Sequence, residues 1–113
     1  MITKIRQENG IAILEPNGKI MGPAASELWD AISPQIAGSD TPRILINFEN
    51  VNRVDSSGLG ALMIARAAVA RKKGRVGVIN VSKQINNLIV LSRLASLFER
   101  FDNEAAAVSA LSA

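Results

Sequence analysis

Residues 55–60 read Asp-Ser-Ser-Gly-Leu-Gly, between an apolar Val54 and a stretch of helical periodicity. An acid, two hydroxyls and two glycines at a helix start suit four kinds of chemistry. Glycines at a strand-to-helix turn let backbone N–H groups approach a bound phosphate. A dinucleotide fingerprint needs a third glycine three residues after the second, and Met63 stands there. A P-loop needs Lys followed by Ser or Thr, which this loop lacks. A serine nucleophile in a sharp elbow needs Gly-x-Ser-x-Gly and a histidine, and the chain has neither. One of Asp55, Ser56 and Ser57 can cap the helix, with the glycines easing close packing. A single cap leaves two polar side chains over. A serine there can instead accept a phosphoryl group, because the helix dipole and the free N–H groups of the first turn favour an anion. The phosphate would add about −1.5 to −2 of charge beside Asp55. A partner that docks on the neutral hydroxyl would then be repelled.

Composition removes most catalytic alternatives. The 113 residues include no Cys and no His. Disulfides, thiolate or imidazole metal sites, a cysteine nucleophile, a histidine base and a Ser-His-Asp triad are all excluded. No metal or cofactor is expected, and the chain reads as a non-enzyme. Apolar residues make up 48% and charged residues 20%, the balance of a globular domain. The length points to one domain over residues 1–113. The first ten residues scatter their charges and hold no apolar signal segment. No apolar run approaches the roughly 18–20 residues of a membrane span. A cytoplasmic protein is the expectation.

Net charge is +3, and Arg66, Arg71, Lys72, Lys73 and Arg75 cluster around one position in the sequence. Such a patch can bind phosphate backbones. It has no interleaved aromatic residue for base stacking, and cations at a helix end favour its dipole. The cluster therefore reads as a solvated helix terminus, with no direct nucleic-acid partner.

The elements that must position the loop follow from periodicity. Residues 2–6 and 11–14 are short β-type runs around Asn9-Gly10, a hairpin signal. Pro16-Asn17-Gly18 should break or bulge the second strand. Over residues 24–36, Leu28, Ile32 and Ile36 recur every fourth position with Ala25 and Trp29 alongside, an amphipathic helix that should kink or end at Pro34. Residues 43–48 are a buried strand, and 49–58 a polar loop with apolar beats at Val51 and Val54. Over residues 57–73, Leu59, Met63, Ala67 and Ala70 form a helical stripe, with Leu62, Arg66 and Val69 beside it and Gly74 as C-cap. A strand over 75–81 precedes Ser82, a good N-cap, and a helix with Ile85, Leu88, Ile89 and Ser92 on its core side. Leu97, Phe98 and Phe101 suggest a short last strand near Phe98. Asp102 or Asn103 then caps an Ala-rich helix ending near Leu111. The order β-β-α-β-α-β-α-β-α implies crossover units and an α/β fold with a mixed, largely parallel sheet and an N-terminal β-hairpin.

Residues 54–62, VDSSGLGAL, resemble the signature of STAS-domain anti-sigma factor antagonists, in which apolar-Asp-Ser-[Ser/Thr]-Gly-Leu-Gly opens the second helix. The similarity extends to Asn17-Gly18-Lys19-Ile20 before the first helix, to Gly74-Arg75-Val76 and Val81-Ser82, and to a closing Leu-x-x-x-Phe-x-x-Phe-Asp stretch from Leu94 to Asp102. The resemblance implies a STAS-type fold with helices packed mainly on one face. It implies a partner-switching regulator whose unphosphorylated form binds an anti-sigma factor, usually a serine kinase, and so frees a sigma factor. The first serine of the pair maps to Ser56, with Ser57 as second choice, and a phosphatase would reverse the modification. Asp55, Ser56, Ser57, Gly58, Leu59, Gly60, Met21 and Ile64 are the expected partner-binding residues, on a monomer or weak dimer.

Met21 is a departure. Many members carry an acid there, after the Gly-x-apolar step. Its replacement by an adaptable apolar side chain favours a second reading: a STAS interaction module that is not phospho-switched, such as a stressosome-type scaffold or a cytoplasmic partner of a lipid-transport ATPase. On the second helix, Gly60, Ile64 and Ala68 are small or apolar at i, i+4 spacing, either a contact face or a packing surface.

Overall fold

The computed structural model describes residues 2–92 and 98–112. The expected Leu94 and Leu97 of the closing stretch lie outside the described residues. The chain runs β1 (Ile2–Glu8), β2 (Ile11–Ile20), α1 (Ala24–Ala37), β3 (Arg43–Asn47), β4 (Val51–Val54), α2 (Ser56–Arg71), β5 (Arg75–Ile79), α3 (Lys83–Leu91), β6 (Glu99–Arg100) and α4 (Glu104–Leu111). The sheet order is β1-β2-β3-β5-β6, and β4 pairs with β2 beyond the reach of β3. Only the β1–β2 hairpin is antiparallel among the described pairings.

Alternation along β2 divides the interior in two. Ala12, Leu14 and Ile20 face the larger core, where α1, α2 and α3 bring Leu28, Ile32, Leu62, Ile85 and their neighbours. Ile11 and Ile13 face the other way, where α4 lays Ala107, Val108 and Leu111 over Leu45 and Ile79. Successive residues of a strand point to opposite faces, so one strand serves both cores. Among the described residues three helices lie on one face and one on the other, which matches the expected layering.

Several local expectations change. The polar stretch after β3 contains a fourth strand, β4, whose buried ends are Val51 and Val54. β2 is not broken by Pro16. It continues to Ile20, and the expected bulge has its counterpart in a register shift between Gly18 and Lys19 where it pairs with β4. Pro16 falls between the residues that pair with β3 (Ala12 to Leu14) and those that pair with β4 (from Gly18), so its missing N–H costs neither parallel ladder.

α1 runs through Pro34 to Ala37. The proline sits in the last turn, where the helix is ending in any case. On α2 the buried stripe is Leu59, Ala61, Leu62, Ala65 and Val69, while Met63, Ala67 and Ala70 are not buried. The expected stripe was rotated by about one position. Ser92 is exposed as the cap residue at the C-terminus of α3.

The end of α2 is a Schellman arrangement: the Lys73 N–H donates to the Ala70 carbonyl and the Gly74 N–H to the Val69 carbonyl. The left-handed residue is Lys73, at φ 58°, and not Gly74. Gly74 is needed for a different reason, since a Cβ there would stand 2.1 Å from the Pro42 carbonyl oxygen. The neighbouring cations also have specific uses. Lys72 Nζ donates to the Ile36 and Ser39 carbonyls at the end of α1 (2.9 and 3.1 Å), and Arg75 pairs with Glu99 while donating to the Ala110 carbonyl.

Candidate functional site

The site forms where β2 and β4 end side by side. Ile20 pairs with Val54, so the turn at Met21-Gly22 and the loop at Asp55 emerge from the sheet together. β4 is short, and a side chain completes its last residue. Gln84 on α3 accepts from the Val54 N–H at 3.3 Å and donates to the Val54 carbonyl at 3.2 Å. The amide thereby does the work of a further strand at that position, because it carries one donor and one acceptor in one plane.

Asp55 is the N-cap of α2. It is extended, at φ −104° and ψ −174°, as caps are. Its Oδ1 accepts from the Gly58 N–H at 2.9 Å and its Oδ2 from the Gly22 N–H at 3.1 Å. The Gly58 bond, aided by the Gly22 and Ser57 N–H groups, holds the carboxyl below the ordinary carboxylate range, against the partial desolvation that would raise it. Ser82 and Asn103 cap α3 and α4 in the same way.

With Asp55 as cap, the two serines are not needed for that task. Ser56 and Ser57 open the helix and are exposed. Gly58 and Leu59 are buried. They seat the helix instead of facing a partner: a Cβ on Gly58 would stand 2.4 Å from the Ile20 carbonyl oxygen and 2.9 Å from Val54 Cγ1. Gly60 has open space where a Cβ would be.

That open space belongs to a shallow groove of about 410 Å³ between α1 and α2, lined by Ala25, Ser26, Trp29, Ser57, Gly60, Ala61 and Ile64. Its character is apolar, and Ile64 on its rim is 60% exposed. Of the expected site residues, Ser57, Gly60 and Ile64 therefore share one surface. Asp55, Ser56 and the half-buried Met21 lie at the adjoining turn, and Ala68 is partly buried against the main core.

Six participants escape the sequence reading. Gly22 supplies an N–H to Asp55, Gln84 clamps β4, Ala25, Ser26 and Trp29 of α1 form the far wall of the groove, and Ala61 lines its near side. Trp29 is the single tryptophan of the chain, and helical spacing assigns it to a stripe without saying which helix lies beside it. Among the described residues no group of three acidic side chains could hold a metal ion, and no helix is long and apolar enough to cross a membrane.

Residues 3–107 match the STAS domain family. The anti-sigma F factor antagonist of Paenibacillus polymyxa is 22% identical over 108 residues, which cover 96% of this chain and 92% of that protein. A solved anti-sigma factor antagonist from Mycobacterium paratuberculosis superposes with a TM-score of 0.84 at 23% identity, covering 97% of this chain and 92% of the other. The Bacillus cell fate determinant SpoIIAA in its phosphorylated form superposes with a TM-score of 0.75 at 22% identity, covering 96% and 98%. These likenesses extend over the whole sheet and its helices, so with residues 3–107 inside the family match the chain belongs to the STAS domain family.

Proposed function

We propose that the protein is an anti-sigma factor antagonist, a regulatory binding module without a catalytic step of its own. In this reading residues 1–113 are one STAS domain, Ser56 is the phosphorylation site, and the unphosphorylated form binds an anti-sigma factor that is itself a serine kinase. Binding frees a sigma factor. The reading places the protein in the cytoplasm, as a monomer or weak dimer, with no direct contact to nucleic acid and with a phosphatase resetting the switch.

The observation that supports it is the division of labour at the start of α2. Asp55 caps the helix, and Ser56 stands exposed beside it. A kinase would transfer the γ-phosphoryl group of ATP to the Ser56 Oγ. The O–P bond to ADP breaks as the new one forms, and the hydroxyl proton passes to a base on the kinase. Sequence reasoning has the free N–H groups of the first turn receiving the phosphate. Here the Asp55 carboxylate already accepts the Gly58 N–H, so a phosphate on Ser56 would project outward, toward a partner. It would add about −1.5 to −2 of charge next to a carboxylate that stays ionised, and a partner fitted to the neutral loop would lose its fit. Ser57, the second choice, lines the groove itself.

Incubation with the cognate anti-sigma kinase and ATP, followed by mass spectrometric mapping, tests the switch. Phosphate is expected on Ser56 and absent from Ser56→Ala, and Ser56→Asp should fold normally and lose the kinase. A kinase that binds the protein and leaves Ser56 unmodified would overturn the reading. Met21, apolar where many members carry an acid, favours the second reading of a module that docks without a phospho-switch, in a stressosome-type scaffold or beside a lipid-transport ATPase. Capture of transporter subunits, or of a large homo-oligomer, in place of a kinase would select it.

A further inference from the structure

The helices leave part of the sheet uncovered. α4 packs on β3 and β5, meets β2 at Ile11 and Ile13, and pairs its Glu104 with Arg6 of β1. Farther along the same face, alternation and register bring up Ile2 and Lys4 of β1, Glu15, Asn17 and Lys19 of β2, and Arg53 of β4. No helix among the described residues covers them, and Ile2, Lys4, Asn17, Lys19 and Arg53 are exposed. A shallow depression of about 470 Å³ lies there, lined by Ile2, Lys4, Glu15, Asn17 and Asn50.

The charge on this face is one-sided. Lys19 and Arg53 stand opposite one another on adjacent parallel strands, a pairing of like charges that destabilises a sheet. The side chains of Lys4, Lys19 and Arg53 form no ion pair with any described residue. Glu15, the one acid among these six residues, is held by Arg6 at 3.3 Å, and Arg6 also pairs with Glu8 and with Glu104 nearer α4. Lys4 lines the depression opposite its cross-strand partner Glu15, and Lys19 and Arg53 stand farther along the same face. β1 beside them is an edge strand paired on one side only, which leaves main-chain donors and acceptors open.

We propose that this bare face of β1, β2 and β4 is a second docking surface, for an extended acidic segment of a partner protein. The cations complement carboxylates, and the open edge of β1 offers strand-type hydrogen bonds that an extended peptide can use. Nucleic acid would use neither the edge nor any stacking surface, since no aromatic side chain lies among these residues. A lipid surface would need one apolar face, whereas the exposed Ile2 and Ile5 differ by an odd number of residues and point to opposite sides of the strand. The surface lies on the other face of the sheet from the α1–α2 groove, with Lys19 and Arg53 immediately before the Ile20–Val54 pair, and it requires no phosphate on Ser56.

Titration of the isotope-labelled full chain with poly-L-glutamate at low ionic strength, followed by amide chemical shifts, tests it. Saturable shifts are expected at Lys4, Asn17, Lys19 and Arg53. The double variant Lys19→Glu, Arg53→Glu should bind roughly tenfold more weakly or worse. Lys19→Glu alone replaces a repulsive cross-strand pair with an attractive one, so it should fold at least as well as the parent and still bind more weakly. Absence of saturation, equal binding by the variants, or shifts centred on residues 66–75 would each overturn the proposal. So would duplex DNA or phosphatidylglycerol vesicles binding as tightly as poly-L-glutamate.

Discussion

The Gly22 N–H donates to the Asp55 carboxylate at 3.1 Å across 33 positions of sequence. This bond ties the turn after β2 to the start of α2. With the Gly58 bond to the other oxygen, one side chain fixes both walls of the surface that carries Ser56 and Met21.

The bonds to Asp55 need its charge. A carboxyl lowered in the folded state contributes stability that is present above its unfolded pKa of about 3.9 and is lost as pH falls through the lower folded value. Asp55→Asn should therefore be less stable than the parent at neutral pH, and the gap should close on acidification. Urea unfolding midpoints between neutral pH and pH about 2.5 check this. A gap that does not change with pH would show that the carboxylate charge is not what holds the cap.

The two glycines of the loop have opposite requirements. Gly58→Ala drives a Cβ into the Ile20 carbonyl and should destabilise by roughly 1–3 kcal/mol. Gly60→Ala meets open space within a helix and should stabilise by roughly 0.5–1 kcal/mol. The same Gly60→Ala change narrows the groove, so partner affinity should fall as stability rises. Chemical denaturation and a binding titration on the same protein read both effects.

Gln84 holds the end of β4. Gln84→Ala removes one donor and one acceptor from the Val54 backbone and should cost about 1 kcal/mol. Hydrogen exchange should speed up at Val54 more than in β3 or β5. Exchange that accelerates evenly over the sheet would mean that the clamp has no local role.

At the far end of α2, Lys73 carries the left-handed conformation that glycine adopts without strain. Lys73→Gly should raise stability by roughly 0.5–1 kcal/mol, the relief of strain exceeding the added freedom of the unfolded chain. Gly74→Ala should lower it, because of Pro42. Thermal unfolding of the two variants separates the conformational requirement from the steric one.

Much of this architecture is local and legible in the chain. Asn9 and Gly10, both at positive φ, turn the hairpin as their pairing predicts, and Ser82 and Asn103 cap helices because each carries a short acceptor one residue before the first turn. The apolar spacing of Leu28, Ile32 and Ile36 marks the buried side of α1. β4 is different. Val-Asn-Arg-Val has no period-two alternation, and only pairing with the end of β2 makes it a strand. The passage of β2 through Pro16 likewise depends on two different neighbours taking over on either side of it.

The loop divides along the same line. The sequence by itself determined that Asp55, Ser56 and Ser57 open a helix, since a capping acid, hydroxyls and glycine before an apolar stripe report on local backbone chemistry. Which of the three caps, which glycine is compressed, and which helix walls the groove were decided only by tertiary structure. Gly22, Trp29 and Gln84 reach the site from distant positions, and nothing in their own sequence neighbourhoods records where they meet.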